Sequence, residues 1–497
     1  MEAFETIKKI SAQLKDLSGA ASLLGWDQEV YMPAGAIERR ATQLGTLAAL
    51  RHRILAEELA PLLPRVETAS LNEKERLNLA QLRLQTQKAL KLPAAFVQAQ
   101  AELAARTQYA WEQAKKQASW QAFCPALEQM VDSKRREAEY YGYTNSPYEA
   151  LMDSYEPGLT LAEVDPIFEQ LLAGLVPLLK SLQGQPQVPD AFLATPVGKD
   201  AQWALSMRLL AEMGFDLQHG RQDLSTHPFT TSAGPEDVRL TTLIVERDMQ
   251  AMLYSTLHEM GHGLYEQGLP AHAYGLPEGE ASSLSLHESQ SRLWENNIGR
   301  SQAFCQWLFP LLAEYMPHAL AGKTPEDLYR AVNKVQPGPI RIQADELTYH
   351  THILLRYQVE RQLIEGRLAV RDIPDYWSAF LLQHLGIQPT TEADGPLQDI
   401  HWAIGAIGYF PTYTLGSLYA AQQYAHMAQQ LPELQAQLRT GHFAPIHAWL
   451  RQRVHQYGSL YSAREWSLQV LGEPLDPRYF LRYLSDKLVQ VYALPIA

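Results

Sequence analysis

The chain has 497 residues, 46% of them hydrophobic, and a formal net charge of −13, enough apolar content for a large buried core. Lysine and arginine are scattered without a basic run, which argues against binding to nucleic acid or to an anionic membrane surface. Two cysteines, Cys124 and Cys305, make no metal or redox motif and suit a reducing, cytoplasmic compartment, and no apolar stretch reaches the roughly 18 residues that would suggest a membrane span.

Residues 1–15 read as a mixed-charge amphipathic helix and not as a signal peptide. Up to residue 180 the apolar positions recur with a period near 3.6, glycine is scarce, and helix follows helix. Ser70-Leu-Asn-Glu73 and Thr160-Leu-Ala-Glu163 read as capping boxes, in which a hydroxyl and an acid three residues on satisfy each other's backbone N–H. Short Pro/Gly-rich breaks at 184–198, 233–236, 268–279, 336–339 and 388–395 read as loops of a site and not as domain linkers.

The stretch 226–245 departs from the helical pattern. Residues 227–231 and 238–245 are short and rich in β-branched side chains, with Ser-Ala-Gly-Pro between them, which predicts a β-hairpin. Such a strand could receive a peptide as an added strand, or be a small structural hairpin. Further on, Thr324-Pro325-Glu326-Asp327 places proline at the first position of a helix with acids behind it. No repeat of 20–50 residues is present. The expected architecture is a single domain over 1–497, all-α apart from a small β-hairpin or sheet.

The chemistry concentrates after the hairpin. His258-Glu259-Met260-Gly261-His262 reads H-E-x-x-H, and residues four apart on a helix share a face, so both imidazoles can grip one metal ion. Glu259 lies about 100° around the helix, beside the ion but off it, where a general base would take a proton from water. Met249, Leu253, Leu257, Met260 and Leu264 form an apolar stripe for the same helix. Ala251 and Ser255 lie on another face with the histidines, and their small size leaves room for a substrate.

A third protein ligand must come from further along, because Tyr265 and Gly268 stand where a metzincin would carry its glycine and third histidine. Glu266 points along the helix axis, and Glu278 and Glu280 lie in a Gly/Pro-rich loop. His287 and Glu288 open a helical stretch over 283–298. Spacing does not separate these two. Glu288 is favoured because two histidines, one carboxylate and an open fourth position suit zinc, which leaves His287 as a neighbouring or packing residue. The pattern points to a metal-dependent hydrolase, most simply a peptidase.

Other constellations are open to two readings. Ile340-Arg341-Ile342-Gln343-Ala344-Asp345 follows a Pro/Gly turn and opens a helix over 344–363. Arg341 could clamp a carboxylate bidentately, as could Arg239 in the hairpin, the alternative being structural ion pairs. His401, in the polar run 395–402, could donate to an oxyanion or be a satisfied buried histidine. Tyr409 and Tyr413 could stabilise a tetrahedral intermediate or serve as core aromatics. His350 and His352 lie two apart on a helix, diverge, and read as structural.

Taken in order, these blocks resemble the M32 metallocarboxypeptidases, the family of carboxypeptidase Taq. They are His-Pro-Phe at 227–229, Asp237-x-Arg239-x-Thr241, H-E-x-x-H at 258–262, His287-Glu-Ser-Gln290, I-R-x-x-A-D at 340–345 and the G-x-x-Q-D-x-H-W run at 395–402. Trp26-Asp-Gln-Glu29 and Tyr31-Met-Pro33 extend the resemblance over nearly the whole chain. It implies a mostly helical gluzincin architecture with a deep central groove, similar to neurolysin and angiotensin-converting enzyme. It also implies a homodimer that removes single residues from peptide C-termini with broad specificity.

By the same resemblance His258, His262 and Glu288 are the metal ligands, Glu259 is the base and Arg341 holds the substrate carboxylate. Tyr413, His401 and Tyr409 face the scissile carbonyl, and Arg239 is similar to an arginine that limits substrate length. Zinc is the implied metal, with cobalt a substitute. The competing readings are an endo-oligopeptidase with the same metal site and a non-enzymatic helical scaffold that binds peptides.

Overall fold

Two of the three helix starts read from the sequence form where they are predicted. In the structure, a computed structural model that describes residues 2–494, Thr160 donates its N–H and its hydroxyl to Glu163 Oε2 at 3.1 and 2.9 Å. Thr324 N–H donates to Asp327 Oδ2 at 2.9 Å, and Asp327 N–H donates back to Thr324 Oγ1 at 3.1 Å. The third start is displaced. Ser70 lies in a tight turn and donates to the Glu67 carbonyl at 3.2 Å. Asn72 and Glu75 form the reciprocal pair instead, at 3.0 and 2.9 Å, since asparagine caps as well as serine does.

The described residues are 67% helical with one small sheet, as the patterning predicts. It divides into two compact units. Unit 1 comprises Met1–Gln87, Val188–Val332 and Ala420–Pro474, and unit 2 comprises Lys88–Gln187, Asn333–Tyr419 and Leu475–Ala497. Two of the Pro/Gly-rich breaks expected to serve as site loops, 184–198 and 336–339, fall within or beside the passages from one unit to the other. The elements needed below are α1 (Glu2–Val30), α2 (Met249–Gly268), α3 (Leu284–Arg292), α4 (Tyr349–Ile364) and α5 (Pro411–Gln430). Among the described residues no helix is long and apolar enough to cross a membrane.

In unit 1 the amphipathic N-terminal helix runs well past the predicted fifteen residues. Its Phe4 and Ile7 enter a core with Leu59, Leu63, Leu79 and Leu276. The sheet has three strands, β1 (Gly220–Leu224), β2 (Thr230–Gly234) and β3 (Asp237–Thr242), in the order β1-β3-β2. The antiparallel β2–β3 pair is the predicted hairpin, with Thr230 opposite Leu240. β1, parallel to β3, is not predicted. Its sequence, Gly-Arg-Gln-Asp-Leu, has no β-branched residue, and side-chain anchors such as Gln222 Nε2 to Ser206 Oγ at 2.9 Å hold it. Tertiary context overrides propensity here.

The predicted apolar stripe of α2 is buried in full: Met249, Leu253, Leu257, Met260 and Leu264 all lie in the core. Gly261 then decides how close α3 can come. A Cβ at this position would stand 2.6 Å from both the Gln290 carbonyl oxygen and Ser291 Cα, so only glycine permits the approach.

In unit 2, α4 is almost wholly buried and begins at Tyr349, later than the predicted start at 344. The Asp345 carboxylate accepts from Leu347 N–H and Thr348 N–H, both at 3.0 Å. That side-chain turn competes with the helix and delays it. His350 and His352 are buried structural residues as expected, bonded to Thr414 Oγ1 and to the Gly338 carbonyl.

Two glycine substitutions should separate packing from propensity. Gly45 is exposed within the helix Ile37–Ile54 with nothing within 4 Å of an added Cβ, so Gly45→Ala should stabilise by about 0.5–1 kcal/mol. Gly261→Ala forces backbone apart and should destabilise by about 1–3 kcal/mol. Urea unfolding of both variants checks the two signs.

Candidate active site

The unit 1 site forms where α2 and α3 meet at Gly261. Asp248 caps α2 by accepting from the N–H groups of Gln250 and Ala251, and Ser283 caps α3 by accepting from Leu286 N–H. With the stripe of α2 fixed in the core, His258, Glu259 and His262 turn toward Glu288 of α3. The room expected beside Ser255 is taken by the sheet, since Ser255 Oγ lies 2.8 Å from Thr242 Oγ1.

His258 Nε2 and His262 Nε2 stand 3.7 and 3.4 Å from Glu288 Oε2. The three residues bring their donor atoms within 4.8 Å of one another. A tetrahedral ion with bonds of about 2.0–2.1 Å needs donor–donor edges of roughly 3.3–3.4 Å. The set therefore fits a divalent cation in size, and two imidazoles plus one carboxylate are the donors of a catalytic site with an open position.

The outer nitrogens and oxygens are also spoken for. His258 Nδ1–H donates to Glu295 Oε2 at 2.8 Å. His287 donates from Nε2 to Glu266 Oε1 at 2.8 Å, so its Nδ1 accepts from His262 Nδ1–H at 2.6 Å. Both Nδ1 positions are thereby engaged, and Nε2 of each candidate imidazole faces Glu288 Oε2. Arg292 Nε binds Glu288 Oε1 at 2.7 Å and leaves Oε2 facing the imidazoles, while its Nη1 reaches Glu295 at 3.2 Å. Tyr265 packs its ring on His287 and His455.

The electrostatics follow from burial and these neighbours. Burial penalises a charged His258, but Glu288 and Glu295 outweigh it and raise its pKa to about 9. His262, buried and beside His287, is pushed down to about 3. Burial alone would raise Glu288, yet Arg292 and the two imidazoles hold it well below the usual carboxylate range.

Glu259 is 6% exposed. Thr230 of β2, an edge strand, donates to its Oε2 at 2.6 Å. Burial raises the Glu259 pKa, against the lowering effect of His258 and Thr230. A raised carboxylate is a stronger proton acceptor.

Arg239 is in unit 1 as well. It makes a bidentate pair with Asp237 at 2.8 and 2.9 Å. Its guanidinium lies 4.4 Å from the Trp26 ring, and that of the paired Arg221 lies 5.0 Å from the same ring.

The remaining predicted residues lie in unit 2. Arg341 sits on a short turn with its side chain buried. Its Nε and Nη2 donate to Asp399 Oδ1 at 3.0 and 2.8 Å, and its Nη1 donates to Tyr349 Oη at 3.1 Å. Arg356 holds the other oxygen of Asp399 at 2.7 Å through Nε. Two guanidinium groups on one carboxylate leave this cluster with a positive surplus. His401 Nε2 is 3.2 Å from Tyr413 Oη, and the Tyr409 ring lies 5.3 Å from that of Tyr413. Burial, helped by both arginines and opposed by Asp399, lowers the His401 pKa to about 4, so the imidazole is neutral at pH 7.

Sequence reading missed Glu295, Arg292, Thr230 and Asp399, and it gave Glu266, read as pointing along the helix axis, no part beside His287. A signal exists for two of them. Glu288, Arg292 and Glu295 follow at i, i+4 and i+7, a single helical face that continues through the π-helical turn Leu293–Ile298. Thr230 and Asp399 reach their partners across the fold, and no local spacing reports that.

The sequence profile of the carboxypeptidase Taq (M32) metallopeptidases matches residues 6–488. The thermostable carboxypeptidase 1 of Pyrococcus furiosus is 38% identical over 491 residues, covering 97% of this chain and 98% of its own. Carboxypeptidase 1 of Bacillus subtilis is 36% identical over 499 residues, with 99% and 98% covered. The crystal structure of the M32 carboxypeptidase from Deinococcus radiodurans superposes with a TM-score of 0.97 at 37% identity, over 99% of this chain and 100% of that one. Similarity over nearly the full length, in sequence and in fold, makes this chain a member of the carboxypeptidase Taq (M32) metallopeptidase family.

Proposed function

We propose that this metallocarboxypeptidase removes single residues from the C-termini of peptides with broad specificity, using one divalent cation held by His258, His262 and Glu288. The observation that carries the reading is the donor set itself: two imidazoles presenting Nε2 and a carboxylate presenting Oε2, with Glu259 beside them on the same helix. Zinc is the metal that suits these donors, with cobalt a substitute.

When bound, the cation supplies Lewis acidity, which makes water easier to deprotonate and stabilises negative charge on oxygen. Glu259 takes the proton of the attacking water, whose oxygen adds to the scissile carbonyl carbon. As the C–N bond breaks, Glu259 returns that proton to the leaving amine. His401, neutral at working pH, and Tyr413 donate hydrogen bonds to the carbonyl oxygen as charge develops there, with Tyr409 packed beside them.

Arg341 binds the substrate's terminal carboxylate. The arginine surplus around Asp399 supports this role, since an added anion balances the cluster. The family resemblance supports a role for Arg239 in limiting substrate length, and Asp237 and the Trp26 ring hold its guanidinium in place. The low cysteine content, two in 497 residues, supports a cytoplasmic location, and the family resemblance supports a homodimer.

Glu259→Gln keeps the volume and removes the base. It should lower kcat by about 10²–10⁴-fold while bound metal is unchanged, measured by steady-state turnover alongside metal content. Near-normal turnover would refute the base assignment.

The exopeptidase reading is tested with one peptide as free acid and as C-terminal amide, followed by mass. Stepwise loss of single residues from the free acid alone is expected, and internal cleavage of both forms would indicate an endopeptidase. Arg341→Ala should cost about 100-fold or more in kcat/KM on the free acid. A loss of the same size on whatever slow cleavage the amide shows would remove the arginine from its role.

A further inference from the structure

Glu360 of α4 is fully buried in unit 2 and has no part in the reaction as described. Its carboxylate meets three donors. Trp402 Nε1–H donates to Oε1 at 2.9 Å. Gly408 N–H and Tyr148 Oη–H donate to Oε2 at 3.0 and 2.7 Å. A buried carboxylate is costly unless hydrogen-bonded, and donors to an ionised acceptor are held more tightly than donors to a neutral one. Burial pushes the Glu360 pKa up to about 7, with Gly408, Tyr148 and Trp402 opposing that rise.

Two of the donors bracket one loop. Trp402 directly follows His401, and Gly408 directly precedes Tyr409. The segment between them has no regular helix or strand; turn hydrogen bonds such as Ala406 N–H to the His401 carbonyl at 2.8 Å shape its interior, while Glu360 holds its two ends. It is pinned at its far end by space as well. Gly408 has φ +96°, and a Cβ there would stand 2.8 Å from Met152 N. Beyond the loop, His401 packs 4.4 Å from the Phe410 ring and reaches Tyr413 Oη at 3.2 Å. Both groups therefore depend on where the loop ends lie.

We propose that Glu360 is a positioning residue: it ties both ends of the loop 402–408 to α4 and so sets the His401–Tyr413 pair. The inference rests on the reading in which that pair acts on the scissile carbonyl. Glu360 touches no substrate atom and acts through the loop.

The test uses the full-length, metal-loaded enzyme and three variants: Glu360→Gln, His401→Ala and the double substitution. Glutamine keeps the volume but turns an NH2 toward groups that are themselves donors. Glu360→Gln should lower kcat by about tenfold, with KM within about twofold and metal content and unfolding midpoint near those of the parent. In the double variant the Glu360→Gln loss should vanish, leaving kcat within about twofold of His401→Ala alone.

Losses that multiply in the double variant, or an unaffected kcat in Glu360→Gln, overturn the positioning role while leaving the carbonyl reading intact. A His401→Ala enzyme with parental kcat overturns the carbonyl reading, and the inference with it. If Glu360→Gln does not fold, Trp402→Phe removes one of the three donors, and its smaller loss must show the same coupling to His401→Ala.

Discussion

The constraint on which unit 1 depends is a surplus of buried acid. Glu259, Glu266, Glu288 and Glu295 lie in one largely buried neighbourhood, where like charges repel in low dielectric and desolvation favours their neutral forms. Arg292 and the more distant Arg300 supply the fixed positive charge at Glu288 and Glu295. The acids Glu288 and Glu295 also raise the pKa of His258 against its burial. In the proposed reading, a divalent cation held by His258, His262 and Glu288 would add positive charge here. The buried stripe of α2, the close approach at Gly261 and the capped start of α3 all serve to keep these acids together.

Unit 2 holds a cluster with a surplus of positive charge. Arg341 and Arg356 share Asp399, which the two arginines hold well below its usual range despite burial. Aromatic faces wall the guanidinium groups in, with Tyr413 at 5.2 Å from Arg341 and Trp377 at 4.5 Å from Arg356. Such packing fixes the orientation of an arginine before any anion arrives, so less ordering is left for binding. The proposed reaction divides accordingly: one cluster suits a cation, a base and water, and the other suits a carboxylate and a developing oxyanion.

Much of this was legible because it is local. The helices follow from a 3.6-residue period, and the hairpin follows from two short β-branched runs with Ser-Ala-Gly-Pro between them. The histidine pair and Glu259 follow from H-E-x-x-H on a helix. Glu288 could be favoured over His287 by donor chemistry alone, and the structure shows His287 bonded to His262 and Glu266. What escaped the sequence reading depends on distant partners or on small competing interactions. β1 lacks β-formers and is held by tertiary contacts. Ser70 loses its cap to Asn72 because a tight turn consumes its hydroxyl. The residues after Arg341 look helical until the Asp345 carboxylate captures the N–H groups of Leu347 and Thr348. The loop 402–408 has no period at all, and its anchor Glu360 lies on another element.

The most direct test of the central claim is the metal content of the purified protein and of its Glu288→Ala variant, measured by plasma mass spectrometry after dialysis against a defined zinc concentration. One equivalent per chain in the parent, with its loss in a variant that remains folded, is the expected result. A folded Glu288→Ala protein that keeps a full equivalent with parental affinity would contradict the assignment of His258, His262 and Glu288 as the metal centre.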